Sequence, residues 1–97
     1  MRLRFSPRAV LDPIEIAEYL REANPAAAKA VRSAILNSLQ TLTKFPLIGR
    51  RQNVEGVRKL ITPKYHYLVY YSVDRVRDEI VILTIRHSAR KRPYSDA

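Results

Sequence analysis

Two runs of aromatic and β-branched residues dominate the hydrophobic pattern of the chain. They are Tyr65-His66-Tyr67-Leu68-Val69-Tyr70-Tyr71-Ser72-Val73 and Ile80-Val81-Ile82-Leu83-Thr84-Ile85-Arg86-His87. Side chains of these types fit a pleated, mostly buried surface, so both runs predict strands. Residues 74–78, Asp-Arg-Val-Arg-Asp, form a polar link of hairpin length without glycine. Neither run alternates cleanly. Tyr67, Val69, Tyr71 and Val73 fall on one face, and Leu68 and Tyr70 make the other face apolar as well. In the second run Val81, Leu83 and Ile85 oppose Ile80 and Ile82. A strand that is apolar on both sides is covered on both sides. If the chain's own helices cover one face, the pattern predicts a partner over much of the other.

The N-terminal half carries a different period. Arg2-Leu3-Arg4-Phe5 alternates and reads as a short strand. Ser6-Pro7 has the form of a helix cap followed by proline, and Asp12-Pro13-Ile14-Glu15 repeats that signal with a capping-box carboxylate. Pro13 inside a straight helix would lose a backbone bond and clash with the preceding turn. The expectation is therefore a turn over residues 7–11 and a main helix to about Glu22, with Ile14, Ala17, Leu20 and Ile16 as its apolar face. Asn24-Pro25 starts a second helix after a very short link. Val31, Ile35, Leu39 and Leu42 recur along it at helical spacing, and Phe45-Pro46 ends it. So brief a connection predicts an antiparallel helix hairpin. Residues 47–56, which hold both glycines (Gly49 and Gly56), read as a polar loop. Residues 57–62 read as a strand, and Pro63-Lys64 as a turn. The predicted order is βααβββ, an α+β fold with the helix hairpin packed on a small, largely antiparallel sheet.

With 97 residues, one domain spanning 1–97 is expected, and a hydrophobic content of 46% suits an ordered globular chain. No apolar run approaches the length of a membrane span, and the basic N-terminus lacks the apolar stretch of a signal peptide. Cysteine is absent, which excludes disulfides and thiolate chemistry. These features predict a cytoplasmic protein with no membrane partner. The charge alters the picture more. Eighteen Lys and Arg against nine Asp and Glu leave a net +9. Residues 1–48 carry seven basic and four acidic side chains, and residues 49–97 carry eleven and five. The excess follows the strands and tail, and it favours anionic partners: nucleic acid, a nucleoprotein machine or an acidic protein.

Most standard chemistry is excluded. Two isolated glycines cannot form a phosphate loop. A metal site would rest on His66 and His87 without cysteine or a matching carboxylate cluster, so neither metal nor cofactor is expected. No nucleophile-elbow pattern is present. His66 reads as a side chain facing outward on a strand. Tyr65, Tyr67, Tyr70 and Tyr71 could stack nucleobases, but tyrosine is also a common packing residue of strands. Arg86, Arg90, Lys91 and Arg92 leave directly from the last hydrophobic strand, which anchors their charge beside a folded surface.

In their order and spacing these residues resemble the RelE/ParE superfamily of bacterial type II toxins. The resemblance runs through Phe5-Ser6-Pro7-Arg8-Ala9, Ile14 with Tyr19-Leu20, and Asn24-Pro25-Ala26-Ala27. It continues in Phe45-Pro46-Leu47-Ile48-Gly49-Arg50, Val57-Arg58-Lys59-Leu60, Tyr67-Leu68-Val69-Tyr70-Tyr71 and Ile85-Arg86-His87-Ser88-Ala89-Arg90. It implies one of two activities: cleavage of messenger RNA on the ribosome, as in RelE-like members, or poisoning of DNA gyrase, as in ParE-like members.

Carried over by position, the RelE-type cluster is mostly missing. Arg58 can stand for a strand lysine and Tyr94 for the tail tyrosine. Leu60, Tyr67 and Ser88 occupy places where the nucleases carry cations. Cleavage by 2′-hydroxyl attack needs a base, an acid and cations on the phosphate. The resemblance therefore implies a ParE-like gyrase inhibitor with no catalytic residues, neutralised by a ParD-like antitoxin. The alternative is a metal-independent endoribonuclease acting on ribosome-bound mRNA through Arg58, His87, Arg90 and Tyr94. A third reading, from the charge alone, is a non-toxic nucleic-acid-binding module. On the ParE-like reading, Arg86, His87, Arg90, Lys91 and Arg92 contact the target, and Tyr67, Leu68, Tyr70, Ile80 and Ile82 contact the antitoxin.

Overall fold

The computed structural model describes residues Met1–Ala97. Its elements are β1 (Arg2–Phe5), α1 (Pro7–Ala23), α2 (Pro25–Lys44), β2 (Arg50–Arg51), β3 (Val57–Ile61), β4 (Tyr67–Asp74) and β5 (Glu79–His87). All the strands join one sheet in the order β1-β5-β4-β3-β2. Neighbours run antiparallel except β1 and β5, which are parallel. The helix hairpin packs on one face, so the α+β architecture is as expected. No helix is long and apolar enough to cross a membrane.

The additional strand is β2, where Arg50 and Arg51 pair with Lys59 and Arg58 inside the segment read as a polar loop. Two charged residues carry no hydrophobic alternation, so nothing in the pattern marks them. The hairpin link of residues 74–78 closes without glycine because Asp78 takes the left-handed conformation at φ 55. The Asp74 carboxylate also accepts from the amides of Val76 and Arg77, both at 3.1 Å. Asn24 serves both helices: its amide donates to the Leu20 carbonyl, and its Oδ1 accepts from the Ala27 amide at 3.2 Å. Val31, Ile35, Leu39 and Leu42 are buried, as their spacing predicts.

Helix α1 departs from expectation. It runs unbroken from Pro7 and carries Pro13 inside. Ser6 provides the cap, its Oγ accepting from the Ala9 amide at 3.1 Å. Counted from there, Ala9, Asp12, Ile16 and Leu20 turn inward, while Ile14 is 50% exposed. Asp12 is therefore no cap. Its Oδ2 accepts from Thr84 Oγ1 at 2.6 Å and from the Ile85 amide at 2.8 Å, and Arg8 Nε lies 2.8 Å from its Oδ1. Strand β1 stops at Phe5, opposite Ile82, and beyond that point the edge of β5 needs other partners. Ser6 supplies them first, its amide donating to Ile82 and its hydroxyl to the Leu83 carbonyl at 2.7 Å. Asp12 supplies the next. The helix thus continues the edge pairing after the strand ends, which offsets the backbone bond lost at Pro13.

The pairing of β4 with β5 shifts by one residue between Tyr70 and Tyr71: Tyr71 faces Ile82 and Tyr70 faces Thr84. Leu83 is the extra residue of a bulge, and the alternation resets after it. Ile85 consequently joins Ile80 and Ile82 in the helix-side core rather than Val81 and Leu83 on the opposite face. A strict period of two cannot foresee that reset. Tyr65 and His66 also lie outside any strand. Both take left-handed backbone angles, φ 67 and 51, in the turn before β4, so His66 is not an outward strand residue.

The back of the sheet is apolar, with Val57, Leu68 and Tyr70 packed beside Leu83 and Tyr94. It is covered by the chain's own last residues. Tyr94 packs on Tyr70 with ring centroids 5.2 Å apart, and Asp96 bridges to Gln52. The doubly apolar strands therefore do not leave a bare face. Tyr67, Leu68, Tyr70, Ile80 and Ile82, expected to meet an antitoxin, are at most 6% exposed and belong to the interior of this fold. Burial on both faces explains their character without a second protein.

The Asp12 joint is testable. Asp12→Ala strips partners from Thr84 and the Ile85 amide in a buried setting and should lower the unfolding free energy by about 3 kcal/mol. Arg8→Ala, which removes a half-exposed partner of the same carboxylate, should cost less than about 1 kcal/mol. Urea denaturation of the two variants checks the ranking, and equal effects would contradict it.

Candidate functional site

The turn that feeds β4 shapes one end of the molecule. Thr62 closes it: its amide donates to the Tyr67 carbonyl at 2.9 Å, its hydroxyl donates to the Lys64 carbonyl at 2.7 Å, and the same oxygen accepts from the Tyr67 amide at 3.0 Å. The His66 carbonyl accepts from the Ser88 amide at 2.9 Å, which ties the turn to the chain leaving β5. Two consecutive non-glycine residues in the left-handed region are uncommon, and such strain gathers at functional rims.

Between this turn, the ends of β4 and β5, and the inner sides of α1 and α2 lies a groove of about 700 Å³. Asp12, Glu15, Tyr19 and Leu20 line one wall, and Tyr65, His66, Tyr67, Arg86, His87 and Arg90 line the other. Tyr67 and His87 meet edge to face, with centroids 5.2 Å apart and planes at 84°. His87 Nδ1 accepts from the Ala89 amide at 3.0 Å, which leaves the proton of a neutral imidazole on Nε2. Burial pushes the Tyr67 phenol above its ordinary pKa, and the neighbouring Tyr19 adds to the shift. Tyr67 therefore stays protonated near neutrality and is no general base.

Of the residues expected to contact a target, Arg86 and His87 are half-buried and Arg90, Lys91 and Arg92 are exposed. Arg86 is held by Thr84 Oγ1 and by the Lys91 carbonyl, each at 3.3 Å. The other three cations form no ion pair. The sheet thus fixes where the basic segment starts and leaves its last charges free.

The four nuclease candidates do not converge. His87 and Arg90 share the groove. Arg58 is spent on the connection after α2, its Nη1 donating to the Leu47 and Gly49 carbonyls at 3.1 and 2.8 Å. Tyr94 lies on the back of the sheet against Tyr70. Leu60 and Tyr67 add apolar surface on the helix side. No three His, Cys, Asp or Glu side chains gather as a metal site.

The comparisons with known proteins agree with this architecture. The profile of the family described as "ParE toxin of type II toxin-antitoxin system, parDE" matches residues 3–92. The chain belongs to the ParE toxin family. A relative from Sinorhizobium fredii, named "Putative toxin Y4kP", is 28% identical over 92 residues, covering 95% of this chain and 93% of that one. Among solved structures, a chain of the chromosomal ParDE system from P. aeruginosa superposes with a TM-score of 0.77 at 24% identity, covering 90% of this chain and 95% of that one. The intact E. coli RelBE complex contributes a match with a TM-score of 0.61 at 14% identity, over 92% of this chain and 98% of that one.

Within this ParE family member the Phe45-Pro46-Leu47-Ile48-Gly49-Arg50 stretch has a definite structural task. Tyr71 reaches into it from β4, its hydroxyl accepting from the Gly49 amide at 2.8 Å and donating to the Pro46 carbonyl at 2.9 Å. A Cβ on Gly49 would lie 2.5 Å from that hydroxyl and 2.6 Å from the ring. Glycine is required there because the ring takes the space.

Sequence reasoning missed the cluster that holds the tail. Lys59 is 6% exposed, and its Nζ sits 2.8 Å from Asp96 Oδ1. Gln52 Nε2 donates to the same oxygen at 3.1 Å. The partners are 37 and 44 residues apart, so no local spacing announces them.

Two predictions follow from these contacts. Gly49→Ala should destabilise the fold by about 2 kcal/mol through the ring clash, read from chemical denaturation; an unchanged midpoint would contradict the packing. The second concerns pH. The hydrogen bond from Lys59, then that from Gln52, holds Asp96 below the ordinary carboxylate range. Its contribution to tail docking is therefore full above the unfolded pKa and lost as pH falls through the depressed folded value. Tail amides should stay equally docked between about pH 8 and pH 5 and release only below about pH 4, as followed by NMR chemical shifts. Release near pH 6 would contradict the assignment.

Proposed function

We propose that this chain is the toxin of a ParDE-type pair, that it arrests growth by inhibiting DNA gyrase, and that a ParD-like antitoxin neutralises it. Membership of the ParE family over residues 3–92 supports the reading. The observation that carries it is the dispersal of the nuclease candidates. Phosphodiester cleavage needs a base, an acid and cations around one phosphate. Here Arg58 is bound to loop carbonyls, Tyr94 lies on the far side of the sheet from His87, and the place of a nuclease cation is held by the protonated phenol of Tyr67. What remains exposed is charge without a catalytic constellation: Arg90, Lys91 and Arg92 beyond β5. A gyrase poison engages an enzyme that holds cleaved DNA, and exposed cations suit its phosphates or acidic protein groups.

The antitoxin has surfaces that suit it. A second groove, of about 660 Å³, runs along the helix hairpin between Phe5, Ile14, Ala28 and Leu36. Phe5, Ile14 and Leu36 are 39%, 50% and 48% exposed. An amphipathic acidic helix fits such a groove on a chain of net charge +9. Opposite charge mainly speeds encounter, so the association rate of the pair should fall steeply with salt.

The test is a supercoiling assay with purified gyrase beside a ribosome-dependent cleavage assay. Inhibition of supercoiling without cleavage is expected, and codon-phased cleavage of mRNA would overturn the reading. Replacing Arg90, Lys91 and Arg92 with alanine should leave folding and antitoxin binding nearly unchanged, since exposed charges contribute little to stability. The same variant should lose growth arrest. A triple variant that folds, binds antitoxin and still arrests growth would place the target contact elsewhere.

A further inference from the structure

The last residues of the chain cover part of the back of the sheet and pair with residues 51–53 through one isolated bridge. The Asn53 amide donates to the Ser95 carbonyl at 2.6 Å, the Ala97 amide to the Arg51 carbonyl at 3.1 Å, and the Ser95 amide to Asn53 Oδ1 at 3.1 Å. Gln52 and Asp96 form an antiparallel bridge. Donors from β2, the residue after it and β3 converge on one carboxylate: Lys59 Nζ at 2.8 Å, Gln52 Nε2 at 3.1 Å and Arg50 Nε at 3.5 Å. Two residues earlier, Tyr94 fills an aromatic seat on Tyr70.

We propose that this face is a docking site for an acidic strand of a partner protein, with an aromatic residue two positions before a carboxylate, and that Tyr94-Ser95-Asp96 occupies it in cis as a displaceable latch. The proposal stands whether or not gyrase is the target.

One feature indicates an occupant beyond the tail, and a second sets the charge it must carry. Gln52 Oε1 and the Tyr70 hydroxyl are buried and lack any hydrogen-bond partner, in residues that are 4% and 0% exposed. Native interiors seldom leave such groups unmatched. The site therefore offers an acceptor and a hydroxyl that the present occupant does not use. Lys59, in turn, is a buried cation whose one anionic partner is Asp96. A buried charge stripped of its partner is strongly unfavourable, so whatever replaces the tail must bring a carboxylate or let in water.

The tail itself is lightly held. Asp96 is 39% exposed, and residues 89–93 are exposed and bonded to the body through the Ala89 and Arg90 amides and the Lys91 carbonyl. The backbone bonds to Arg51 and Asn53 select a polypeptide strand over a bare phosphate, which has neither amide nor carbonyl at strand spacing. A tethered occupant acts at an effective concentration in the millimolar range, so the site is masked in the free chain.

The probe is a fluorescein-labelled peptide of residues 92–97, titrated by anisotropy against the full chain and against full-length Asp96→Ala. Removing the cis carboxylate should tighten peptide binding at least tenfold. A peptide carrying Asp96→Asn should lose that affinity, as should a protein carrying Lys59→Met together with Asp96→Ala. Equal affinity for wild type and Asp96→Ala, or binding indifferent to Lys59→Met, would overturn the proposal. So would a single-stranded oligonucleotide that displaces the peptide, since the site would then be read by phosphate, or dimers exchanging tails in light scattering. Wild type gives a measurement that requires no variant to fold: at saturating peptide the Ala97 amide should lose protection from hydrogen exchange while the Asn53 amide keeps it. Unchanged protection of Ala97 would also overturn it.

Discussion

The fold depends on a carboxylate placed where a strand runs out. β1 pairs with β5 only as far as Phe5, yet β5 continues to His87 with backbone groups facing that edge. Leaving the Leu83 carbonyl and the Ile85 amide unpaired beneath a helix would cost about 1–3 kcal/mol each. Ser6 and Asp12 meet them from the first turns of α1. These bonds set the rotation of α1, which in turn decides that Ile16 and Leu20 rather than Ile14 pack on the sheet. They also hold β5 where its C-terminal end, with Arg86 and His87, forms a wall of the groove.

The hydrophobic pattern made α2 and the two long strands legible because burial there follows one period over many residues. Val31, Ile35, Leu39 and Leu42 need only a helical wheel to be placed. The pattern misled where a short polar feature overrides periodicity. Pro13 argued for a break, but the cap at Ser6 and the long-range bonds of Asp12 outweigh one lost backbone bond. The bulge at Leu83 reverses the faces of a strand through one inserted residue, and both alternatives are equally apolar in sequence. β2 rests on two arginines whose only strand signal is the neighbour they pair with. The site residues were legible in part. Their presence at the end of β5 follows from sequence order, whereas the separation of Tyr94 from His87 depends on which face each side chain takes, and Arg58 is held at the Leu47 and Gly49 carbonyls.

The sheet's second apolar face shows how a demand for cover can be met from within the chain itself. Strands apolar on both sides do demand cover on both sides. In this chain the last residues supply it, Tyr94 packing against the Val57, Leu68 and Tyr70 cluster and Asp96 fastening to Lys59 and Gln52. A short polar tail carries no hydrophobic run that would advertise such a role. Its docking depends instead on a buried lysine in β3 that would be unfavourable without it.

Charge is then distributed by what the fold consumes. Lys59 is neutralised inside the tail cluster, Arg58 ties down the connection after α2, and Arg8 supports Asp12. Arg90, Lys91 and Arg92 serve no such structural purpose, and they lie in the stretch leading from the groove toward the tail latch. The three phenols of β4 that face the interior, Tyr67, Tyr70 and Tyr71, are all pushed above their ordinary pKa chiefly by burial. The cations are thus divided between those that the fold binds and those that it leaves exposed beyond β5. The same separation keeps the basic segment accessible while the sheet behind it is closed, because the tail fastens through Asp96 and leaves the three cations before it untouched.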